Sequence, residues 1–300
     1  MGKIGIAILG VVFVVAASAT SPLAAEFLRS SYASRGAGPS DFVRDNRKPV
    51  FSSASVLVKD QLTGELLFQK QVAAVLPIAS ITKLMTAMVV LDTRMSLLKS
   101  LTIEASDVDT LRHSSSHLPV GTRLTRGEAL LLALMASENR AAHALGRNYP
   151  GGLNSFVTAM NAKARSLGLT ETHFEDPAGL SSGNVSSARD LVQMVDAAYS
   201  YHLIREFTTR EATAINCGRR KLGFCNSNRL IRSSRWQIGL SKTGYIDEAG
   251  HCLVMQANVG QRPLLIVLLD AQGKLARFSD ANRIRQWIEG PTPGRHNRRG

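Results

Sequence analysis

Strand-like runs of apolar residues lie in the first and last thirds of this chain. SASVLVKD and ELLFQKQV, within residues 53–72, are joined by a turn around Gly64. Three later runs, WQIGLSKTG, HCLVMQANV and PLLIVLLD, predict strands with a turn around Gly260. Because consecutive strands with short connections pair antiparallel, we expect the first hairpin and the last strands to share one antiparallel sheet.

The middle of the chain shows helical periodicity instead. Pro77 is predicted to open a helix running to about Leu91, since proline suits a first helical turn. Thr125 and Glu128 form a capping-box pattern ahead of ALLLALMAS. Further helices are predicted over 154–167 with a stop at Gly168, from a cap at Ser186 or Ser187 to Tyr199, and over about 278–289. This order of elements indicates an α/β fold of the α+β type, an antiparallel sheet with a helical lobe.

Residues 1–25 have the features of a secretory signal peptide. Lys3 precedes an uncharged apolar run, Ile4 to Ala17, that is shorter than the ~20 residues a membrane-spanning helix needs. Cleavage is expected at Ala17-Ser18-Ala19 or at the poorer site Leu23-Ala24-Ala25; an uncleaved membrane anchor is the alternative. We therefore expect an exported, periplasmic protein with no stable transmembrane segment after processing.

Composition and charge narrow the possible partners. The 300 residues are 44% hydrophobic and 20% charged, with a formal net charge of +13, which is typical of a globular protein. Export, and basic residues without interleaved aromatics, argue against a nucleic-acid partner. An anionic envelope polymer is compatible with the charge. We expect a linker over 26–50, a main domain over 51–290 and a basic tail over 291–300.

Three cysteines are too few to indicate a disulfide-rich fold. Cys217 and Cys225 flank GRRKLGF, a candidate hairpin tip, so a disulfide across the tip and two free thiols are open alternatives. Cys252 lies in an apolar strand pattern and is expected to be a buried thiol.

Ser80 and Lys83 form the first candidate catalytic pair. Their spacing at the start of a helix puts the hydroxyl and the amine on one face, one turn apart. Serine needs a base to become a nucleophile, and lysine can be that base only when neutral. Burial, a second cation and a helix N-terminus all lower a lysine pKa. Ser96 and Lys99 repeat the spacing without the apolar lead-in, so we interpret them as surface residues.

Ser137-Glu-Asn139 is the second candidate element, and it interrupts a strongly helical apolar stretch. Ser137 could relay a proton to a leaving group, and Asn139 could bind a substrate amide. Ser182-Gly-Asn184 has the same pattern, so this motif alone is weak evidence.

Lys242-Thr243-Gly244 is the third element, and it ends a predicted strand. Lys242 supplies a second cation, and the Thr243 hydroxyl can bind a carboxylate. Gly244 lets a substrate backbone approach the strand edge closely.

No cofactor and no metal site is expected. His113 and His117 have i, i+4 spacing, but they fall in a serine-rich loop and lack the glutamate of a zinc protease. We interpret His251, in a strand, as a packed residue. The sequence has no nucleophile elbow, P-loop or dinucleotide fingerprint.

In the order S-x-x-K, S-x-N, K-T-G, the three elements match the signature of penicillin-recognising serine enzymes. Longer blocks extend the match: PIASITKLMTAMVVLD (77–92), LLALMASENRAA (131–142) and SKTGYIDEAGHCLVM (241–255). Over roughly residues 50–290 the chain resembles the low-molecular-mass penicillin-binding proteins, the D-alanyl-D-alanine peptidase family, and its endopeptidase members most.

The resemblance implies a fold like that of the serine β-lactamases and DD-peptidases, peptidoglycan stem peptides as substrate, and β-lactams as covalent inhibitors. It implies that Ser80 forms the acyl-enzyme and that Lys83 accepts its proton. The backbone N–H groups of Ser80 and Tyr245 would form the oxyanion hole, and Arg277 falls near the position of a carboxylate-binding arginine. The residues that would complete the cleft are Ser137, Asn139, Lys242, Thr243 and Gly244.

The leading hypothesis is therefore a serine DD-endopeptidase that opens D-alanyl cross-links in peptidoglycan, with a DD-carboxypeptidase as the alternative. Related carboxypeptidases continue into a second domain and an amphipathic anchor, neither of which we expect here. A β-lactamase is disfavoured because no E-x-x-L-N stretch follows the helical block, whereas FEDPAGL (174–180) resembles the peptidases. The intact motif set argues against a wall-binding module without activity.

Overall fold

The computed structural model of the protein describes residues 49–217 and 220–290. The predicted signal peptide over 1–25, nearly all of the linker over 26–50 and the basic tail over 291–300 lie outside the described residues. Within the described ranges, no helix is long and apolar enough to cross a bilayer.

A five-stranded antiparallel sheet forms the centre of the fold. In chain order the strands are β1 (Ser53–Asp60), β2 (Leu66–Lys70), β3 (Leu76–Pro77), β4 (Ser100–Thr102), β5 (Arg123–Thr125), β6 (Val185–Ser186), β7 (Ala212–Cys217), β8 (Arg220–Cys225), β9 (Gln237–Ile246), β10 (Gly250–Val259) and β11 (Arg262–Ala271). The sheet has the order β2-β1-β11-β10-β9, and β3-β6, β4-β5 and β7-β8 are separate two-stranded pairs. The prediction that the N-terminal hairpin joins the C-terminal strands is confirmed.

The continuous apolar run in β11 follows from burial of both faces of the sheet. Alternate residues point to opposite faces, so Leu264 and Ile266 pack in one cluster with Phe278 near the C-terminus. Leu265 and Val267 pack on the opposite face with the helical lobe. A strand buried on both sides needs apolar residues at every position, which is why PLLIVLLD shows no alternation.

Helices cover the sheet and form the lobe beside it. They are α1 (Lys83–Asp92), α2 (Arg126–Met135), α3 (Asn139–Arg147), α4 (Gly152–Ser166), α5 (Ala188–Tyr199), α6 (His202–Thr209) and α7 (Ala276–Glu289). Every residue of α1 from Lys83 to Val90 is buried, because α2, α3, α4, α5 and α6 all contact it. Helix α1 is therefore the centre of the lobe. Lys83 at its start is buried, whereas Ser80 is only partly buried.

The predicted helix starts are confirmed where a side-chain cap defines them. Thr125 Oγ1 accepts a hydrogen bond from the Glu128 N–H (3.1 Å), and the Glu128 carboxylate accepts one from the Thr125 N–H (2.7 Å). Of the two candidates before α5, Ser187 is the cap and accepts from the Asp190 N–H at 3.1 Å.

The predicted start of the first helix at Pro77 is wrong. Pro77 pairs with Val185 in the β3-β6 ladder, and Ala79 has a positive φ of 46°, so the chain cannot continue as an α-helix from Pro77 through Ala79. Ala79–Thr82 forms a short 3-10 turn, and α1 begins only at Lys83. Helix α6 was not predicted from the sequence. A hairpin was suggested between Cys217 and Cys225, but Arg220–Cys225 forms strand β8 and is not part of the tip.

A disulfide between Cys217 and Cys225 is excluded. The register pairs Cys217 with Arg220 and Cys225 with Ala212, so the two cysteines lie at opposite ends of the β7-β8 pair. Five residue steps along a strand span about 16 Å, whereas a disulfide requires Cα atoms within roughly 7 Å. Both thiols are free, and Cys252 is buried as expected; burial raises the pKa of its thiol to about 11.

Candidate active site

Ser80 and Lys83 meet at the junction between the 3-10 turn and α1. The turn carries Ser80 at its second position, and Lys83 is the first residue of α1. The distance between Lys83 Nζ and Ser80 Oγ is 2.7 Å. The structure therefore brings the predicted nucleophile and base into direct contact.

The amine of Lys83 is fully buried and surrounded by acceptors. Besides Ser80, its Nζ contacts Asn139 Oδ1 at 2.8 Å and the carbonyl oxygen of Ala178 at 2.6 Å. Burial lowers the pKa of Lys83 to about 7, while the carboxylates of Asp176 and Glu138 act in the opposite sense. Roughly half of a group with that pKa is neutral at pH 7, so Lys83 can accept a proton there.

The second motif lies in the connection between α2 and α3. Ser137 has a positive φ of 61°, which costs a non-glycine residue about 1 to 2 kcal/mol, and its Oγ accepts a hydrogen bond from Lys242 Nζ at 2.8 Å. Asn139, the first residue of α3, contacts Lys83 through its oxygen and donates from Nδ2 to Ser114 Oγ at 2.9 Å. The two residues thus link both lysines of the site.

The third motif lies on β9, the edge strand of the sheet. Lys242 is buried, and its Nζ also contacts the carbonyl oxygen of Thr243 at 3.0 Å. Burial lowers the pKa of Lys242, and the positive charges of Lys83 and Arg277 lower it further. The Thr243 hydroxyl donates to Ser227 Oγ at 2.7 Å. Because the two buried lysines disfavour each other's charge, protonation of one favours the neutral form of the other.

Gly244 marks a close approach between β9 and the turn that carries Ser80. A Cβ atom at Gly244 would lie 2.8 Å from the carbonyl oxygen of Ile78 and 3.3 Å from the backbone nitrogen of Ser80. The next residue, Tyr245, exposes its ring, which stacks on His251 with centroids 4.3 Å apart. Only glycine permits this approach, which brings the backbone around Tyr245 towards that of Ser80.

Arg277, on α7, contacts the backbone of β9 and β10. Its Nη1 donates to the carbonyl oxygen of Gly244 at 2.7 Å and lies 3.3 Å from His251 Nδ1. Burial lowers the pKa of its guanidinium. Its Nε is buried and has no hydrogen-bond partner among residues 49–217 and 220–290. The structure thus places Arg277 beside the third motif, and His251 packs there as predicted.

The loop over residues 174–181 belongs to the site, although no role in the site was predicted for it from the sequence. Its Ala178 carbonyl contacts Lys83. The Asp176 carboxylate shapes the loop by accepting hydrogen bonds from the backbone N–H groups of Ala178 (2.6 Å) and Gly179 (2.7 Å). A Cβ atom at Gly179 would lie 2.0 Å from the carbonyl oxygen of Ala79. The FEDPAGL block (174–180) is the sequence signal for this loop, since it resembles the peptidases.

Two further serines of the site were not predicted from the sequence. Ser114 holds the amide of Asn139, and Ser227 holds the hydroxyl of Thr243. Ser114 comes from the serine-rich loop considered as a metal site, where the His117 ring packs edge-on against Phe224 at 6.3 Å. Neither position has a sequence signal, because each contact joins residues far apart in the chain.

The chain is similar to characterised proteins along most of its length. Residues 43–273 match the model of a family described as D-alanyl-D-alanine carboxypeptidase. The chain is 48% identical over 240 residues to the D-alanyl-D-alanine endopeptidase of Pseudomonas aeruginosa, and the aligned region covers 79% of this chain and 77% of that protein. It is 44% identical over 244 residues to the D-alanyl-D-alanine endopeptidase of Escherichia coli, with coverage of 81% and 79%.

The fold is shared with a solved enzyme. The crystal structure of the Streptomyces K15 DD-transpeptidase matches with a TM-score of 0.75 at 29% identity, covering 80% of this chain and 98% of that one. The predicted fold, an antiparallel sheet with a helical lobe of the DD-peptidase type, is therefore confirmed. With the family model matching most of the sequence, the chain belongs to the D-alanyl-D-alanine carboxypeptidase family of serine peptidases.

Proposed function

We propose that this protein is a serine DD-endopeptidase that opens D-alanyl cross-links between peptidoglycan stem peptides through an acyl-enzyme on Ser80. The observation that carries the proposal is the buried amine of Lys83, which lies 2.7 Å from Ser80 Oγ and has a pKa lowered to about 7. A neutral amine in contact with a serine hydroxyl is the arrangement that makes the serine nucleophilic.

Acylation follows from these contacts. Ser80 Oγ attacks the carbonyl carbon of D-alanine, and its proton passes to the neutral Nζ of Lys83. The negative charge that develops on the carbonyl oxygen is stabilised by the backbone N–H groups of Ser80 and Tyr245. Support for this oxyanion hole is the close approach of β9 to Ser80 at Gly244.

The leaving amine departs when the carbon–nitrogen bond breaks. The proton held by Lys83 reaches the leaving nitrogen through the Ser137 hydroxyl, which Lys242 keeps in position at 2.8 Å. Asn139 orients the substrate amide, while Thr243 and Arg277 bind the carboxylate beside the scissile bond.

Deacylation repeats the same steps with water as the nucleophile. Water gives its proton to Lys83 as its oxygen attacks the acyl carbon, the ester bond to Ser80 breaks, and the proton returns to Ser80 Oγ. A β-lactam would acylate Ser80 by the first half of this sequence.

Two observations favour cross-link cleavage over removal of terminal D-alanine. The relatives at 44–48% identity are both named endopeptidases. The formal net charge of +13 favours a large anionic polymer, although this field is screened beyond ~8 Å at physiological salt. We infer from the same substrate, and from the signal-peptide pattern, that the protein works in the periplasm.

The test is a competition between a cross-linked muropeptide dimer and a monomeric pentapeptide at equal concentration. We expect the dimer to be split faster than D-alanine is released from the monomer. Faster release of D-alanine would establish the carboxypeptidase alternative instead. A Ser80→Ala variant should lose both activities, and mass spectrometry after penicillin treatment should locate the adduct on the peptide that contains Ser80.

A further inference from the structure

A basic cleft adjoins the third motif, since two of its lining residues form hydrogen bonds with Thr243 and Gly244. It has a volume of about 630 Å³, within the range of small-ligand pockets. Its lining residues are Ser227, Arg229, Arg232, Lys274, Leu275, Arg277 and Phe278. Four of them are cations and none is acidic, so the cleft concentrates positive charge.

The cleft is continuous with the proposed carboxylate site. Ser227, on its wall, accepts the hydrogen bond of the Thr243 hydroxyl at 2.7 Å. Arg277, also on its wall, donates to the Gly244 carbonyl at 2.7 Å. The cleft therefore lies within reach of a leaving group whose first carboxylate is bound at Thr243.

The cations of the cleft have spare binding capacity. Within residues 49–217 and 220–290, no acidic side chain forms an ion pair with Arg229, Arg232, Lys274 or Arg277. The buried Nε of Arg277 has no hydrogen-bond partner in the same ranges. Like charges gathered without counter-charges repel one another, and an anionic occupant relieves that repulsion.

We propose that this cleft is a subsite for a second carboxylate on the leaving peptide of a cross-linked substrate, held by Arg229, Arg232 and Lys274. The inference rests on the proposed function and names the chemistry that lets the enzyme distinguish its substrates. A free D-alanine leaving group has one carboxylate, which Thr243 and Arg277 bind. The stem peptide released from a cross-link carries further carboxylates, and their negative charge is complementary to the positive charge of the cleft.

The experiment combines a double variant with a modified substrate. Arg229→Ala/Lys274→Ala removes two cations from the cleft. The matched control, Lys99→Ala/Arg165→Ala, removes two exposed cations of the helical lobe that do not line the cleft. Each protein is assayed with a cross-linked dimer and with the same dimer after amidation of the distal carboxylates of its leaving peptide.

We expect the wild type to prefer the unmodified dimer by about tenfold in kcat/KM, mainly through KM, since exposed charge pairs contribute a few-fold each. In the cleft variant this preference should fall to about one, whereas the control keeps it. If kcat/KM of the cleft variant fell equally on both dimers, so that its preference stayed that of the wild type, the proposed subsite would be wrong.

The two proposals fail in different ways. β-Lactam acylation of Ser80 reports whether each variant is folded and has a working nucleophile. If the wild type is acylated but splits neither dimer, both the proposed endopeptidase function and the proposed subsite are wrong. If it splits both dimers without preference, only the subsite is wrong.

Discussion

Two segments of this chain carry a serine three residues before a lysine, yet their surroundings differ completely. Lys83 is fully buried with its amine against Ser80 Oγ, the Asn139 amide and a backbone carbonyl. Ser96 and Lys99 are exposed beyond the end of α1. Equal spacing therefore produces a candidate catalytic pair in one place and a solvated turn in the other. Burial, which spacing does not encode, makes the difference.

The two S-x-N segments differ in a similar way. Asn139 faces the site, with its oxygen 2.8 Å from Lys83 Nζ. Asn184 is buried, accepts from the backbone N–H of Glu175 at 2.8 Å, and donates to Thr82 Oγ1 at 3.0 Å. The second copy of the motif thus braces the loop that presents Ala178 to Lys83.

The largest expected effect comes from replacing Lys83 by arginine, with the same replacement at Lys99 as the control. Lys83→Arg should reduce β-lactam acylation by about 1000-fold, because a guanidinium stays protonated and cannot act as a base. Lys99→Arg, the control, should acylate at the wild-type rate. Stopped-flow acylation with a fluorescent penicillin measures both rates, and a thermal unfolding curve shows whether each variant is folded. Near-wild-type acylation of the Lys83→Arg enzyme would mean that Lys83 is not the base.

The next effect tests the loop that buries Lys83. Gly179 has a φ of 79°, and in Gly179→Ala the new Cβ would lie 2.0 Å from the carbonyl oxygen of Ala79. We therefore expect the free energy of unfolding to fall by about 3 kcal/mol. Thermal unfolding should then shift by roughly 6 to 12 °C. Gly168→Ala, at a φ of 72° with open space around it, should cost only about 1 kcal/mol. Equal shifts in the two variants would show that the clash does not matter.

The pH dependence of acylation provides a smaller effect that concerns Lys83 directly. Burial disfavours the charged amine and lowers its pKa to about 7. The reaction needs the neutral form, so the acylation rate should rise with pH, about tenfold per unit well below pH 7, and level off above about pH 8. A rate independent of pH between 5 and 8 would contradict this assignment.

The smallest effect comes from the carboxylate of Glu138, which raises the pKa of Lys83 against the effect of burial. Glu138→Gln removes this charge but keeps an oxygen to accept from the Arg140 N–H. The pKa of Lys83 should fall further, so the acylation profile should move to lower pH by a fraction of a unit. Glu65→Gln, on the turn before β2, is the control and should leave the profile in place. A shift to higher pH would mean that the charge of Glu138 does not act on Lys83.

Much of the fold could be predicted from the sequence because its signals are local. The apolar runs located β1, β9, β10 and β11, and the caps at Thr125 and Ser187 located α2 and α5. The prediction failed at Pro77, where pairing with β6 outweighed the local preference of proline for a helix start. It also left open a disulfide between Cys217 and Cys225, since only the strand register shows that the two thiols lie far apart.

By itself the sequence determined the three motifs, their order and the family to which the chain belongs. These properties depend on residue identity and spacing, which are written along the chain. Tertiary structure alone decided which serine–lysine pair is buried, that the Ala178 carbonyl and Ser114 join the site, and that basic residues from 229 to 277 line one cleft. Burial and electrostatic coupling depend on distances between residues remote in sequence, and folding sets those distances.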